Sequence, residues 1–298
     1  MNFINRKRSK KPILINRWRR AAQTLSLFIF NPFLFQYMGV CLPVMNCWAC
    51  PAAAFSCPVG VVGSFLAQGL FPYAALGMVV LGAMLLGRIF CGWICPFGFL
   101  QDLLYKIPSP KIAIPGKIGT YLFLLPLTLL IGTVVLVPML AGTESDLYFC
   151  RFCPAGTLEA ALPLHFVNSE KGLIDTAVEA LLSWRVWILL AFLALFVFVT
   201  RPFCRIMCPI GVFLGFFNWI SLHKIKLEQV TKCPECDLCC EACPVELNAH
   251  TDVNNKDCIH CYVCTESCPP RNVIKRKNNK KPASKALIRK TSAPHAST

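Results

Sequence analysis

The sequence predicts a mainly α-helical protein, in which a membrane domain of four helical spans with an internal twofold repeat precedes a small α+β metal-binding domain. Three observations predict this class. Hydrophobic residues make up 55% of the 298 residues and charged residues only 15%, whereas a soluble domain carries about 25% charged residues. The phrase Cys-Pro-x-Gly occurs four times beside apolar stretches, and a double run of cysteines lies near the C-terminus.

The N-terminal segment predicts a cytoplasmic start and a first membrane span. Residues 1–20 contain eight Lys or Arg and no acidic residue, and such a segment stays in the cytoplasm. The apolar run 21–45 exceeds the roughly 7–15 apolar residues of a signal peptide, so we expect an uncleaved span, bent near Asn31-Pro32. Three further spans, each long enough for ~30 Å of hydrocarbon, are predicted at about 65–90, 118–141 and 184–200.

Charged loops set the predicted topology of the membrane domain, residues 21–222. The loop after the second predicted span contains Lys106, Lys111 and Lys117, which places it in the cytoplasm, whereas the acidic loop after the third lies outside. Both termini are therefore expected in the cytoplasm, in a multi-pass protein of the inner (cytoplasmic) membrane. Residues 276–298 predict a disordered basic tail. Because the basic blocks flank apolar stretches, the net charge of +15 indicates contact with membrane lipid and not with nucleic acid.

The C-terminal cysteines have the spacing of a bacterial two-cluster ferredoxin. The run Cys-x-x-Cys-x-x-Cys-x-x-x-Cys-Pro begins at Cys233 and again at Cys258. In such a run the fourth cysteine ligates the other cluster, which predicts two [4Fe–4S] sets: Cys233, Cys236, Cys239 and Cys268, then Cys258, Cys261, Cys264 and Cys243. Two structural zinc sites are the alternative, but zinc needs no terminal Cys-Pro. Residues 223–275 are thus predicted to form an α+β two-[4Fe–4S] ferredoxin-like domain.

The membrane part repeats the order helix, outer Cys-Pro unit, helix, inner Cys-Pro unit. The inner units share one spacing and predict a further cluster at the inner face, held by Cys91, Cys95, Cys204 and Cys208. At the outer face, Cys150 and Cys153 are expected to join two of three candidates, Cys47, Cys50 and Cys57. Cys57 matches the repeated phrase and Cys50 matches the Cys-x-x-Cys-Pro of the facing loop, so the choice stays open. Buried free cysteines are the competing interpretation.

With these motifs the sequence resembles the NapH/MauN-type membrane iron–sulfur proteins, and the wider polyferredoxin group that includes NosR and CcoG/FixG. The resemblance covers about residues 15–275 and rests on the two inner Cys-x-x-x-Cys-Pro units and the eight ferredoxin cysteines. The NapH type implies oxidation of membrane quinol and passage of electrons through iron–sulfur centres toward a reductase. The CcoG likeness implies instead a metal-reducing assembly factor for another redox enzyme. The outer units lie outside the NapH pattern.

The resemblance therefore predicts an electron-transfer subunit, a quinol dehydrogenase component of a larger oxidoreductase, with the quinone pool and a redox protein as partners. Quinol releases two electrons and two protons, whereas a cubane accepts one electron, so a proton acceptor is also expected. The candidates are Glu144, Asp146, Glu159 and His165 in the outer loop and His223 and Lys224 on the inner side. No Cys-x-x-Cys-His haem motif occurs, and no catalytic or quinone-binding residue stands out.

Overall fold

Short apolar helices, broken at glycine and proline, make up most of the described chain. The computed structural model describes residues 14–31, 40–47, 49–50, 53–112, 124–168, 179, 181–223, 225–227, 238–247, 254–267 and 274–276. The first half contains α1 (Leu14–Phe30), α2 (Pro58–Ala67), α3 (Tyr73–Leu86), the π-helical turn α4 (Phe90–Ile94) and α5 (Pro96–Leu104).

The second half follows a long central helix. Helix α6 runs through Leu124–Leu129, a π-helical stretch Leu130–Leu136, and Val137–Ala141. It is followed by α7 (Phe149–Phe152), α8 (Pro154–Gly156, Thr157–Ala161 and Leu162–Asn168), α9 (Trp184–Phe198), α10 (Pro202–Ile206) and α11 (Pro209–Phe217). The C-terminal module contributes β1 (Ile225–Leu227), α12 (Leu238–Glu241), α13 (Val263–Ser267) and β2 (Ile274–Arg276), and β1 pairs antiparallel with β2.

The first predicted span, 21–45, is not one continuous helix in the described residues. Helix α1 ends at Phe30, just before Asn31-Pro32, because proline lacks the amide a helix needs and disfavours α geometry in the residue before it. Residues 40–47 are non-helical, and Ser56 donates its amide to the Val40 carbonyl at 3.2 Å. This segment and the loop at 53–57 are joined by a parallel bridge between Cys41 and Ser56, next to the C-terminal end of α1. Residues 32–39 lie outside the described residues.

The second predicted span, 65–90, is two helices. Helix α2 ends at Ala67, Gly69 turns the chain with a φ of +71°, and α3 begins after Pro72. A positive φ is easy only for glycine, and proline opens a new helix more readily than it continues one. The fourth predicted span, 184–200, agrees with the 15 residues of α9.

One helix in the described part of the chain, Leu124–Ala141, is long and apolar enough to cross a membrane by length and composition, with a mean hydropathy of 2.4. It corresponds to the third predicted span, of which residues 118–123 lie outside the described residues. The mainly helical class is confirmed, whereas the four-span topology and the domain boundaries stay predictions.

The largest apolar core of the described residues joins the helices before β1 to the C-terminal module. It contains side chains from the outer loops, such as Val44 and Phe149, from the inner loops, such as Phe203, and from the module, such as Val245 and Ile259. The module also reaches the first helix, because the Glu266 carboxylate accepts the free α1 amides of Leu14 at 3.1 Å and Ile15 at 2.9 Å. An acidic side chain at this end of a helix is favourable.

Candidate metal centres

Each Cys-Pro-x-Gly phrase forms the same turn at the start of a helix. Cys57, Cys95, Cys153 and Cys208 are extended, with φ between −63° and −70°, and the proline that follows each is the first helical residue. The Gly211 amide lies 3.3 Å from the Cys208 sulfur, and the amides of Gly60, Gly98 and Gly156 face the sulfur of their own cysteine. Such amides stabilise a thiolate.

The structure brings the four inner cysteines together; we call Cys91, Cys95, Cys204 and Cys208 the inner set. All four are buried, and all six pairs among them are close enough to interact electrostatically. The Gln101 side-chain amide also donates to the Cys204 sulfur at 3.2 Å. A group bound by the inner set would therefore be shielded from water by the helices that follow the two cysteine units.

Two buried arginines tie the halves of the repeat together at the inner set. Arg88 donates to the Cys204 carbonyl at 3.0 Å, and Arg201 donates to the Cys91 carbonyl at 2.7 Å. Each arginine stands three residues before the first inner cysteine of its own half and bonds to the corresponding cysteine of the other half. The sequence reasoning missed this exchange. Its signal was the repeated phrase Arg-x-Phe-Cys-x(3)-Cys-Pro-x-Gly, which begins with an arginine in both halves.

The two arginines have different acceptors. Asp102 accepts two bonds from Arg201, at 2.8 and 2.6 Å, and one from Arg19 at 3.0 Å. Arg88 instead bonds to the Lys256 carbonyl and approaches the Asp257 carboxylate at 3.4 Å, both in the C-terminal module.

The repeat explains this difference through one glycine. In the register of the two halves, Gly215 occupies the position of Asp102. A Cβ at Gly215 would lie 2.9 Å from the Lys256 carbonyl, so the missing side chain leaves room for the module. The C-terminal module thus supplies hydrogen-bond acceptors to Arg88, as Asp102 does to Arg201.

Within the module, the structure brings together Cys243, Cys258, Cys261 and Cys264, which we call the ferredoxin set. All four are buried, and every pair among them interacts electrostatically. Cys239 is buried nearby, but its predicted partners Cys233, Cys236 and Cys268 lie outside the described residues. The off-pattern Cys240 is buried beside Cys239.

The loop that carries the ferredoxin set packs directly on the inner set. The Asn218 side chain donates to the carbonyl of Cys258 at 2.7 Å, and Trp93 donates to the carbonyl of His260 at 3.4 Å. Gly92 follows Cys91, and a Cβ there would lie 2.5 Å from the Ile259 carbonyl. The backbone segments that carry the inner set and the ferredoxin set are therefore in direct contact.

The outer cysteines meet around a small cavity of about 20 Å³. Its lining includes Cys47, Cys57, Cys150 and Cys153, which we call the outer set, and it does not include Cys50. Cys50 packs instead against Ala53 and Ala160. The Glu159 carboxylate accepts the Cys47 amide at 2.7 Å, and burial raises the pKa of this carboxyl to about 7.

The other predicted proton acceptors lie elsewhere. Glu144 and Asp146 are exposed, and Glu144 pairs with Arg151. His165 and His223 are partly buried and line neither the cavity nor the inner set, and Lys224 lies outside the described residues. Of the proton acceptors predicted in the outer loop, Glu159 is therefore the one that touches a thiol set.

The thiol sets suit clusters better than single metal ions. Among the described residues, no group of three or more His, Cys, Asp or Glu side chains is arranged to hold one metal ion. A cubane presents separate iron corners, so its four thiolates need not converge on one point. Soft thiolates, buried and faced by backbone amides, are the ligands that iron–sulfur clusters take.

Comparison with known proteins supports the internal repeat and identifies relatives of this chain. A family model described as a 4Fe-4S binding domain matches twice, at residues 68–115 and 181–228, and each match contains one inner cysteine unit. The uncharacterized protein MJ0750 of Methanocaldococcus jannaschii is 31% identical over 250 residues, which is 81% of this chain and 87% of that protein.

Two further relatives have descriptive names. The methylamine utilization ferredoxin-type protein MauN of Methylobacillus flagellatus is 25% identical over 76% of this chain and 76% of its own length. Protein NirI of Paracoccus denitrificans is 30% identical over 61% of this chain, which spans only 25% of NirI. No solved structure matches the chain.

Proposed function

Because this chain belongs to the NapH/MauN-type polyferredoxin group and is an iron–sulfur electron-transfer protein, we propose that it is the membrane-bound subunit of a larger oxidoreductase. The subunit takes electrons from quinol and passes them through [4Fe–4S] centres to a partner reductase. It lies in the cytoplasmic membrane with several spans, and both termini face the cytoplasm.

The packing of the ferredoxin set on the inner set is the observation that carries this proposal. One core contains Cys91, Cys95 and Cys208 of the inner set together with Cys243 and Cys261 of the ferredoxin set. The efficiency of electron transfer falls steeply with distance. Two carriers in one packed core, joined through the Gly92 turn, are therefore suited to exchange electrons.

The inner set would hold one [4Fe–4S] cluster and the ferredoxin set another. A second module cluster would use Cys239 with the three cysteines outside the described residues, Cys233, Cys236 and Cys268. When bound, such clusters accept and release one electron at a time. All eight thiols of the inner set and the ferredoxin set are buried, which keeps water and oxidants away from these ligands.

The chain's own residues hold the inner ligands in place and balance their charge. Four thiolates in an apolar core create a local negative charge, and Arg88 and Arg201 place two guanidinium groups against the same cysteine turns. In a buried site such attraction is much stronger than in water. The reciprocal bonds also fix the separation of the two halves, which sets the width of the site.

Quinol oxidation balances over this arrangement. One quinol gives two electrons, two protons and one quinone. The electrons would leave one at a time through the clusters that the thiol sets hold, and the partner reductase would consume both. The two protons pass to water. The exposed apolar faces of the helices fit contact with lipid, since large side chains such as Leu125, Ile131, Leu140 and Trp187 are exposed.

Anaerobic purification with iron analysis and EPR-monitored redox titration tests the proposal. We expect quinol to reduce the clusters of the wild-type chain. We also expect Cys204→Ser to delete one cluster signal and about four iron atoms per chain, while both ferredoxin signals remain. Cys41→Ser is the matched control, because Cys41 is equally buried but packs with Ala75 and Val79 outside the thiol sets.

Two results would contradict the proposal. If Cys204→Ser retains every signal, the inner set holds no cluster. If dithionite reduces the clusters but quinol never does, the chain carries electrons from another donor, and the CcoG-like role in metal reduction becomes the better explanation.

A further inference from the structure

We propose that Cys47, Cys57, Cys150 and Cys153 hold an additional [4Fe–4S] cluster, that this cluster lies next to the inner one, and that Cys50 is not a ligand. The inference rests on the proposed function, since it assumes that the inner set is loaded. It differs from the sequence expectation in two ways. It selects the ligands, and it places the clusters expected at the outer and inner faces next to each other.

The geometry of the cavity selects the ligands. All four thiols of the outer set line it, and their sulfurs interact electrostatically across the repeat: Cys57 with Cys150 and Cys153, and Cys47 with the same two. The set combines two cysteines from each half, as the inner set does. Cys50 lies three residues after Cys47, the last residue of the lined segment 45–47, and packs against Ala53 and Ala160.

Contacts around the cavity prepare the outer thiols for ligation. The amides of Gly60 and Gly156 face the sulfurs of Cys57 and Cys153, and the Tyr148 hydroxyl bonds to Cys150. Glu159 fixes the backbone of Cys47, because its carboxylate accepts the Cys47 amide. Hydrogen-bond donors aimed at thiolates are the partners that ligated sulfurs require. The outer set thus has the same kind of support as the inner set.

The segment between Val44 and Cys47 places the outer set next to the inner set. The Met45 amide donates toward the sulfur of Cys95 in the inner set, while Met45 also lines the outer cavity. Cys47 follows Met45 by two residues, a length of chain that spans at most about 7 Å. An outer ligand and an inner ligand are therefore joined through one short backbone stretch.

Burial of that segment explains how irregular backbone reaches this position. Val44, Met45 and Asn46 are at most 5% exposed. Non-helical backbone at membrane depth is tolerated where protein surrounds it, because no lipid then faces its polar groups. The cysteine loop after α1 thus folds inward, and the distance between the two membrane sets becomes much shorter than the ~30 Å of hydrocarbon.

The experiment uses the full chain, purified anaerobically and reduced with dithionite, so that it does not depend on quinol. We expect Cys57→Ser to lose about four iron atoms per chain. We also expect the inner-set EPR signal to become narrower, because an adjacent paramagnetic cluster no longer broadens it. Cys150→Ser, at a less buried ligand, should reproduce both effects. Cys50→Ser is the matched control in the same loop and should keep the wild-type iron content and line width.

The outcomes separate this inference from the proposed function. Persistence of the inner and ferredoxin signals in Cys57→Ser shows that the variant has folded. If Cys57→Ser keeps all its iron, if Cys50→Ser loses the same iron, or if the outer thiols retain copper in place of iron, the inference is wrong. If Cys57→Ser loses the iron but the width of the inner-set EPR signal does not change, the outer and inner clusters are not neighbours. The proposed adjacency of the two clusters is then wrong. Failure of quinol to reduce the clusters would affect only the proposed function.

Discussion

Arg88 and Arg201 show why arginine, and not lysine, precedes the inner cysteines in each half. Arg201 bonds to the Cys91 carbonyl with one nitrogen and to both oxygens of Asp102 with two others. Arg88 bridges the Cys204 carbonyl and the C-terminal module. A guanidinium has five donors in a fixed plane and can serve several acceptors, whereas an ammonium is a compact point charge. The residue type thus follows from the number of acceptors.

Replacement of Arg88 by lysine should loosen the inner set without removing charge. Arg88→Lys retains the positive charge but is too short to bond to Cys204 and Lys256 together, so about 1–3 kcal/mol of stability should be lost. We expect a broadened or weakened inner-set EPR signal and unchanged ferredoxin signals. Arg185→Lys on α9 is the control. Identical spectra for the two variants would show that Arg88 has no part in positioning the cysteines.

Asp102 is the one carboxylate that the described residues place between two buried guanidinium groups, those of Arg19 and Arg201. Asp102→Asn keeps the shape but removes the charge, so two buried cations lose their counter-ion. Loss of one partner from a buried ion pair costs about 3–5 kcal/mol. We expect a clear drop in the thermal unfolding midpoint in detergent. The exposed Asp146→Asn should change it little, and equal midpoints for the two would contradict the structural account.

At the scale of elements, the sequence predicted the motifs better than the helices that carry them. Cysteine spacing is local and identified the inner units. Helix lengths were misjudged, because hydropathy extends past Phe30, where α1 ends, and over Gly69, where the backbone turns with a positive φ. The pairing of Arg88 with Cys204 joins residues 116 apart, and hydrophobic periodicity contains no information on such a contact.

The contact between α4 and the module predicts a strong effect of one methyl group. Gly92→Ala would place a Cβ 2.5 Å from the Ile259 carbonyl, which is backbone and cannot move aside as a flexible side chain would. We expect the module to be displaced, so that protease cuts near residues 247–254 faster and quinol reduces the ferredoxin clusters more slowly. Gly77→Ala, with no atom within 4 Å, is the matched control. Equal cleavage rates would mean that the docking survives without this close approach.

At the scale of the whole molecule, one apolar core connects the three thiol sets. The outer, inner and ferredoxin sets each have members in the same apolar cluster: Cys57 and Cys153, Cys95 and Cys208, and Cys243 and Cys261. The sequence could predict each group from its spacing. It could not predict their order in space, because that depends on the inward fold of residues 40–47 and on the substitution of Gly215 for an acidic residue in the second half.

The bonds from Leu14 and Ile15 to Glu266 have a consequence for biosynthesis. The opening turn of α1 leaves the ribosome about 250 residues before Glu266, so until then its amides can bond only to water or to other acceptors. The start of α1 therefore gains its protein acceptor only after all four cysteines of the ferredoxin set have been synthesised.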